Sequence, residues 1–595
     1  MKTGNYFTDN ADLVESFDRL VPWPEVVPLA EGKDADVAQT VAAWREVLAV
    51  AGRYIGTEIA SRAAQVDELG VVREGGTVDM SAPVKENLRG LAALGLSGPS
   101  IPVRYGGGGL PFTMNTMLIE MLARACLSTE VQHVFHSAPA ALIHRFGTDD
   151  QRAKYLPKLA SGAWLGAVAM TEPQAGSDVG NLSTSATREG DDWLLNGRKQ
   201  FISAGSGQFA IVLARCVPGS KGLEGLGLFI ADRWSAAAPE SAASGPGAGA
   251  ANYAVERAEH KFTIKGSPTC ALLFERSRAE ALGKPGEGWK MILTFMNESR
   301  VGVGIQGVGV ATAAFEAACD YAAARVQMGR PIREHPMVAE MLLDMDTTVR
   351  GMRALLLEAS LRLDRTLFAE AAGDGSPAAR RAARELRELT PLVKWYGAEE
   401  TIRVCRLALQ IHGGNGVVTE YEVERHLRDS LILPIYEGTS QIQGLMTVRD
   451  LMRAVFANPL SLVGAGPSAW LARSSFTGET GRDFSAARGA HVAALRSLVL
   501  GLVRRKGVRA LRARLSDDDL GPFLLNAERI AETLAHLHVA RALAEQVRIV
   551  PERGRWAARA ARRARLVAER NLRQIRAGDG GVFAQIASWR RERGA

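Results

Sequence analysis

The stretch LPIYEGTSQIQ (residues 433–443) carries one carboxylate, Glu437, between Tyr436 and Gly438, directly after four mostly apolar residues. A carboxylate in apolar surroundings is costly unless it is paired or used. Three further stretches hold groups that suit a ligand. MTEPQAGSDVG (170–180) follows a strand-like run and gathers Thr, Gly, Ser and Asp into one loop. Its backbone N–H groups and hydroxyls suit a polar ring edge or a phosphate, although a turn-rich β connection accounts for the same composition. KQFISAG (199–205) ends a strand with an aromatic and a hydroxyl. HGGNG (412–416) closes a helical pattern, either as a C-cap turn or as a close backbone approach to a ligand.

Elements must position these groups, and the chain is long enough for several of them. Its 595 residues exceed what one core can bury. A hydrophobic content of 47 % and a mean hydropathy of −0.03 describe an ordinary globular chain. Read by eye, no apolar run reaches the roughly 18–20 residues of a membrane span. The opening MKTGNYFTDNADLVESFDRL lacks the pattern of a secretory signal. Five scattered cysteines, without CxxC or His pairing at metal spacing, favour buried thiols in a reducing cytoplasm over disulfides or a metal site. The net charge of +7 is uneven: residues 552–595 hold twelve arginines against four acids. That segment reads as a solvated, Arg-rich helical tail or as a patch for acidic lipid at the inner membrane face or for nucleic acid. No aromatic-rich platform or recognised nucleic-acid motif accompanies it, so the patch does not specify its partner; the intact IYEGTSQIQ (435–443) stands against nucleic acid.

From about 35 to 159 apolar residues recur at three- and four-residue spacing, as in VAQTVAAWREVLAVAGRYIGTEIA, and predict helices broken by the loop RYGGGGLP (104–111). Between about 162 and 278 short strand-like runs alternate with Gly and Asp turns, which predicts a β unit. It contains a low-complexity insertion at 235–252. Long helices return from 288 to about 455, with a loop at 371–379. A Gly-rich linker (462–483) then leads to a last helical unit. GVGIQG (302–307) fits the dinucleotide fingerprint, but a helical run and not a strand precedes it. Close helix packing through small residues is the better account.

The set MTEPQAGSDVG, RKQFISAGS, KGSPTC, ARVQMGRPI, QIHGGNG and PIYEGTSQIQ, in this order, resembles the acyl-CoA dehydrogenase family of flavoproteins over roughly residues 37–455, about 70 % of the chain. The N-terminal stretch and the C-terminal extension are similar to a larger bacterial branch that includes 3-methylthiopropanoyl-CoA dehydrogenase-like proteins. The resemblance implies an α+β multidomain fold: an N-terminal extension (1–36), an N-terminal helical domain (37–161), a middle β-barrel (162–280), a C-terminal helical bundle (281–455) and an extra helical domain with a basic tail (456–595).

It also implies FAD as cofactor and removal of hydrogens from the α and β carbons of an acyl-CoA, giving the trans-2-enoyl product. Glu437 is then the α-proton base, since burial raises a carboxylate's pKa and strengthens it as a base. Met170 and Thr171 match contacts to the flavin, Ser177 a loop serine near pyrophosphate and substrate, and Phe201 and Ser203 positions often held by Trp and Thr beside the flavin. Arg325, Gln410 and Gly414 match positions that hold the adenosine diphosphate, partly across a subunit boundary, which implies a homodimer. Thr439 and Gln441 match further FAD contacts. Arg300, Tyr436 and Gly438 match substrate-side positions. Some branches carry the base on the helix of NESR, where Ser299 stands here; Glu298, one residue away, is turned by about 100° and is expected to point elsewhere. Electron-transfer flavoprotein is the implied acceptor. An acyl-CoA oxidase and a weakly active nucleic-acid-associated flavoprotein are the alternatives.

Overall fold

The computed structural model describes residues 4–74, 77–234, 251–462, 476–507 and 515–593. Most of the expected insertion at 235–252 and of the expected linker at 462–483 lies outside the described residues.

The first unit is built from helices α1 (Ala11–Glu15), α2 (Trp23–Glu31), α3 (Val37–Tyr54), α4 (Ala60–Leu69), α5 (Ala82–Ala93), α6 (Phe112–Ala125), α7 (Leu127–Phe146) and α8 (Asp149–Ala160). α8 starts where Thr148 and Gln151 satisfy each other's backbone N–H groups in a capping box. One antiparallel hairpin, β1 (Val71–Glu74) with β2 (Thr77–Met80), interrupts the expected helices. Its short β-branched runs pair better than they coil. The N-terminal residues pack into this unit through Phe7, Phe17 and Trp23.

The middle unit comprises β3 (Gly166–Ala169), β4 (Ser185–Glu189), β5 (Asp192–Ser203), β6 (Phe209–Arg215), β7 (Leu226–Asp232), β8 (Ala254–Ala258) and β9 (Thr269–Leu282). Pairings run β6–β7–β9–β5–β4 and return from β4 to β6, closing the expected β-barrel, with β3 parallel to β6 and β8 alongside β9. On β6, Ala210, Val212 and Ala214 face one core with Leu195 and Phe229. Phe209, Ile211 and Leu213 face the other, with Tyr155 and Leu156 of α8. Burial on both faces is why FAIVLAR reads as one apolar run.

The bundle follows: α9 (Gly288–Ala324), a small hairpin of β10 (Val326–Gln327) and β11 (Arg330–Pro331), α10 (Pro336–Ala371), α11 (Pro377–His412), α12 (Val423–Ser430) and α13 (Ser440–Ala457). GVGIQG lies inside α9, as the packing reading requires. A Cβ on Gly304 would stand 2.7 Å from Val393 Cγ1, and one on Gly307 would stand 2.3 Å from the Gly397 carbonyl oxygen. α9 and the later helix 478–506 are long and apolar enough to cross a bilayer by composition, a point the sequence reading missed. The apolar window of α9 is nevertheless 78 % buried inside the protein.

The extra unit is α14 (Gly478–Lys506), α15 (Asp517–Leu525), α16 (Ala527–Gln546), α17 (Gly554–Arg576) and α18 (Val582–Glu592). The last six residues of the expected linker are therefore already helical. This unit shares one apolar core with the bundle: a Cβ on Gly351 of α10 would stand 2.6 Å from Val539 of α16. The arginine-rich segment is not a loose solvated tail. Six of its twelve arginines make ion pairs: Arg553 with Asp12 and Glu15, Arg559 with Glu340, Arg563 with Asp344 and Glu400, Arg565 with Asp483, Arg570 with Glu532, and Arg590 with Asp518. The pairs of Arg553, Arg559 and Arg563 clamp the unit to the body, those of Arg565, Arg570 and Arg590 hold the unit together, and all draw on the charge that a lipid or nucleic acid would need.

At the centre of the clamp, Asp12 is 6 % exposed and pairs with Arg350, Arg353 and Arg553, while Arg353 also holds Glu120 of α6. Burial by itself would raise the Asp12 pKa; the three guanidinium groups outweigh it and hold it below the ordinary value. The stabilisation is therefore complete above the unfolded Asp pKa of about 3.9 and is lost as the pH falls through the lower, folded value. Asp12→Asn is expected to destabilise by about 3–5 kcal/mol, because it leaves buried guanidinium charge uncompensated. The check is the urea midpoint at pH 7 and at about pH 3, below the unfolded Asp pKa, with the gap between variant and parent narrowing at the lower pH.

Candidate active site

A cavity of ≈ 1220 Å³ opens between α6, α7, α9 and α10, with Tyr436 and Glu437 at its wall. α9 contributes Ser299, Gly302, Val303 and Gln306, the face left by residues at three- and four-residue spacing. A Cβ on Gly302 would meet nothing within 4 Å, so that glycine opens space.

The Glu437 turn is strained and braced. Glu437 has φ 57°, a left-handed conformation uncommon for a side chain with a Cβ, and Gly438 follows at φ 91°. Gln443, fully buried on α13, donates to the carbonyl oxygens of Glu437 (3.2 Å) and Gly438 (2.9 Å). A Cβ on Gly438 would come within 2.8 Å of Gln443 Nε2, which requires glycine there twice over. Thr439 caps α13 by accepting from the Ile442 N–H. Arg300, 3 % exposed, reaches the Glu437 carbonyl oxygen with Nε at 3.4 Å. Expected on the substrate side, Arg300 does not line the cavity and braces the turn from behind. Burial lowers its pKa, against the pull of Glu437.

Ser299 Oγ donates to Glu437 Oε2 at 2.7 Å. Ser299 of α9 and Glu437 of the turn before α13 thus meet at the cavity wall. Glu298, expected to point elsewhere, does line the cavity, where it pairs with Arg145. Tyr436 donates its hydroxyl to Gln306 Oε1, and Gln306 donates to Glu130 Oε2 at 2.7 Å.

The remaining predicted residues fall into two groups. Met170 and Thr171 lie next to β5: the Gln200 N–H donates to the Thr171 carbonyl at 2.9 Å. The β5–β9 register slips between Lys199 and Ile202, and there Phe201 takes φ 61° and stands 59 % exposed. Ser203, two residues on, lines the cavity, and Ser177 is exposed on the 170–180 loop. Arg325, at the end of α9, is exposed, as are Gln410 and Gly414 at the end of α11. Gln441 faces the extra unit, with Nε2 3.3 Å from Glu528 Oε2. The donor set of the first group, hydroxyls and loop N–H groups beside an exposed aromatic, fits a flavin. A guanidinium and an amide in the second fit a pyrophosphate.

Sequence reasoning missed the buried pair that fixes the loop. Lys199 and Glu172, both essentially inaccessible, pair at 2.8 Å. Glu172 also accepts from the Ser183 and Thr184 N–H groups, and Lys199 donates to the Met170 carbonyl. Burial draws Lys199 down to about 8 against the pull of Glu172; burial would raise Glu172, but Lys199 holds it at about 2. Opposite charges inside two otherwise strand-like motifs were the available signal. Gln443 carried none.

Three family models match in order: "Acyl-CoA dehydrogenase, N-terminal domain" at residues 43–163, "middle domain" at 167–277 and "C-terminal domain" at 286–452. A relative from Anaerotignum propionicum named acryloyl-CoA reductase (NADH) is 32 % identical over 62 % of this chain and 86 % of its own. One from Ruegeria pomeroyi named 3-methylmercaptopropionyl-CoA dehydrogenase is 31 % identical over 73 % of this chain and 74 % of its own. The solved acyl-CoA dehydrogenase of Bacillus anthracis, a complex with FAD, is 23 % identical, with a TM-score of 0.72 over 92 % of this chain and 91 % of that one; the likeness in fold therefore extends into the extra helical unit. The chain belongs to the acyl-CoA dehydrogenase family, FAD-dependent oxidoreductases that act on CH–CH bonds of acyl-CoA thioesters.

Glu172→Gln is expected to cost about 3–5 kcal/mol, since it strands a buried ammonium. It is also expected to loosen the 170–184 loop. Urea midpoints and the rate of proteolysis within that loop read the two effects separately.

Proposed function

We propose that this protein converts an acyl-CoA thioester to its trans-2-enoyl-CoA, with Glu437 taking the α proton on Oε1. One observation carries the reading: Ser299 fixes Oε2 at the cavity wall, which leaves Oε1 as the oxygen without a hydrogen bond among the described residues. The left-handed backbone costs about 1–3 kcal/mol and aims the carboxylate; Gln443 and Arg300 sustain it as positioning residues. Negative charge builds on the thioester oxygen as the α proton leaves, and such charge calls for fixed donors. The Glu437 N–H, unspent on backbone among the described residues, is one. When bound, FAD supplies the acceptor for the β hydride at N5. Met170, Thr171, Phe201 and Ser203 would hold its ring system, with Ser177, Thr439 and Gln441 as further contacts. Tyr436 and Gly438 would border the substrate.

Electrons then pass to an electron-transfer flavoprotein. The same residues serve the opposite direction, which the name of the Anaerotignum relative describes. A homodimer is part of the proposal: Met328 (94 % exposed) and Val326 on the β10–β11 hairpin offer an apolar patch beside Arg325. A second copy would cover that patch while Arg325, Gln410 and Gly414 reach its cofactor.

The test is anaerobic mixing of the FAD-loaded protein with a panel of acyl-CoAs while the flavin band is followed. Bleaching by one class of acyl chain is expected. Glu437→Gln is expected to slow it about 10²–10⁴-fold at unchanged FAD content. Near-parental bleaching in that variant would remove Glu437 as the base. Fast re-oxidation by air would point to an oxidase.

A further inference from the structure

One face of α7 lines the cavity: Glu130, His133, Ser137 and His144 recur at helical spacing. Each carries a buried polar atom with no hydrogen-bond partner: Glu130 Oε1, His133 Nδ1, Ser137 Oγ and His144 Nδ1. On α6, Asn115 adds its Oδ1 to the cavity lining in the same condition. Glu130 and His133 are 0 % and 1 % exposed, so bulk water does not serve them. An orphaned buried polar group costs about 1–3 kcal/mol, and four on one helical face call for a ligand. A plain hydrocarbon chain would leave every one of them unpaired.

Their chemistry narrows the ligand. His133 Nε2 lies 2.6 Å from the Leu96 carbonyl oxygen, which can only accept, so Nε2 holds the proton and Nδ1 is a bare acceptor. Glu130 Oε2 accepts from Gln306, so any proton on this carboxyl sits on Oε1. Burial pushes that carboxyl up to about 8, against the Gln306 hydrogen bond. A carbonyl or ether oxygen cannot satisfy His133. A hydroxyl can donate to Nδ1 or Oδ1 and accept from a protonated Oε1. Gln306 stands seven residues along α9 from Ser299, about 10 Å at 1.5 Å per residue. The Glu130 end of the stripe therefore lies away from the reacting carbons, where the acyl part of the substrate would run.

Resting on the proposed dehydrogenation, we infer that the acyl group this enzyme takes carries at least one hydroxyl along its length, recognised by Glu130 and His133 on α7. The comparison is between acyl-CoAs of equal length, one plain and the others bearing a single hydroxyl at successive mid-chain and terminal carbons. Binding to the FAD-loaded protein is measured by calorimetry, alongside anaerobic bleaching. At least one hydroxylated chain is expected to bind tenfold or more tighter than the plain chain. Glu130→Leu is expected to reduce that ratio to about threefold or less, and Glu130→Gln, which keeps a polar end, to do so only in part. FAD content and melting temperature report whether each variant is folded. Selective binding with bleaching supports both proposals. Selective binding without bleaching keeps the hydroxyl site and overturns the dehydrogenation. A plain chain that binds as tightly as every hydroxylated one, because ordered water already satisfies α7, overturns the hydroxyl site whether or not the flavin bleaches.

Discussion

The buried charge cluster around Asp12 is the constraint on which the assembly depends. Asp12 belongs to the N-terminal extension, Glu120 to α6, Arg350 and Arg353 to α10, and Arg553 to the extra unit. Segments up to 541 residues apart in sequence meet in this cluster, α10 and the extra unit on the Asp12 carboxylate and α6 through Arg353. Its charge is affordable inside the protein only because three guanidinium groups surround it. α6 and α10 are also walls of the cavity, so the cluster that docks the extra helices fixes the space in which the acyl chain would lie. A second cluster, Asp344, Glu400, Arg403 and Arg563, repeats the device farther along α10 and α11. The extra unit is thus a brace for the substrate-side helices.

Within that frame the site combines a rigid turn with a polar chamber. The turn holds Glu437 in a conformation that its own backbone disfavours, and Gln443, Arg300 and Gly438 make the alternatives worse. Behind Tyr436 a run of hydrogen bonds leads through Gln306 to Glu130, and there it stops, with an oxygen that nothing in the described protein answers. A chamber built for hydrocarbon alone would place Leu or Val at such positions. α7 instead turns Glu, His and Ser inward.

The motifs carried the family and the order of units, because each is a local pattern: a carboxylate between Tyr and Gly, a polar loop with Thr, Ser and Asp after a strand, a Gly turn after a helix. Other features were illegible for definite reasons. The β1–β2 hairpin is too short to stand out from helical periodicity around it. The arginines of 552–595 looked like solvent-facing charge because their acids lie up to 541 residues away. Glu298 was misjudged because a turn angle on one helix does not say which neighbour the face meets. The Glu172–Lys199 pair was present in two quoted motifs, but only the β5 register brings the charges together.

What the sequence by itself determined, then, is the family and its chemistry: residue types at fixed local spacing point to a flavin-dependent acyl-CoA dehydrogenase and to the succession of helices and barrel. What only the tertiary structure decided is partnership. Which charges neutralise one another, which polar atoms stay unanswered in the cavity and which serine meets Glu437 all depend on contacts between distant segments. No local spacing encodes those contacts, because burial that makes an unpaired group costly is a property of the packed whole.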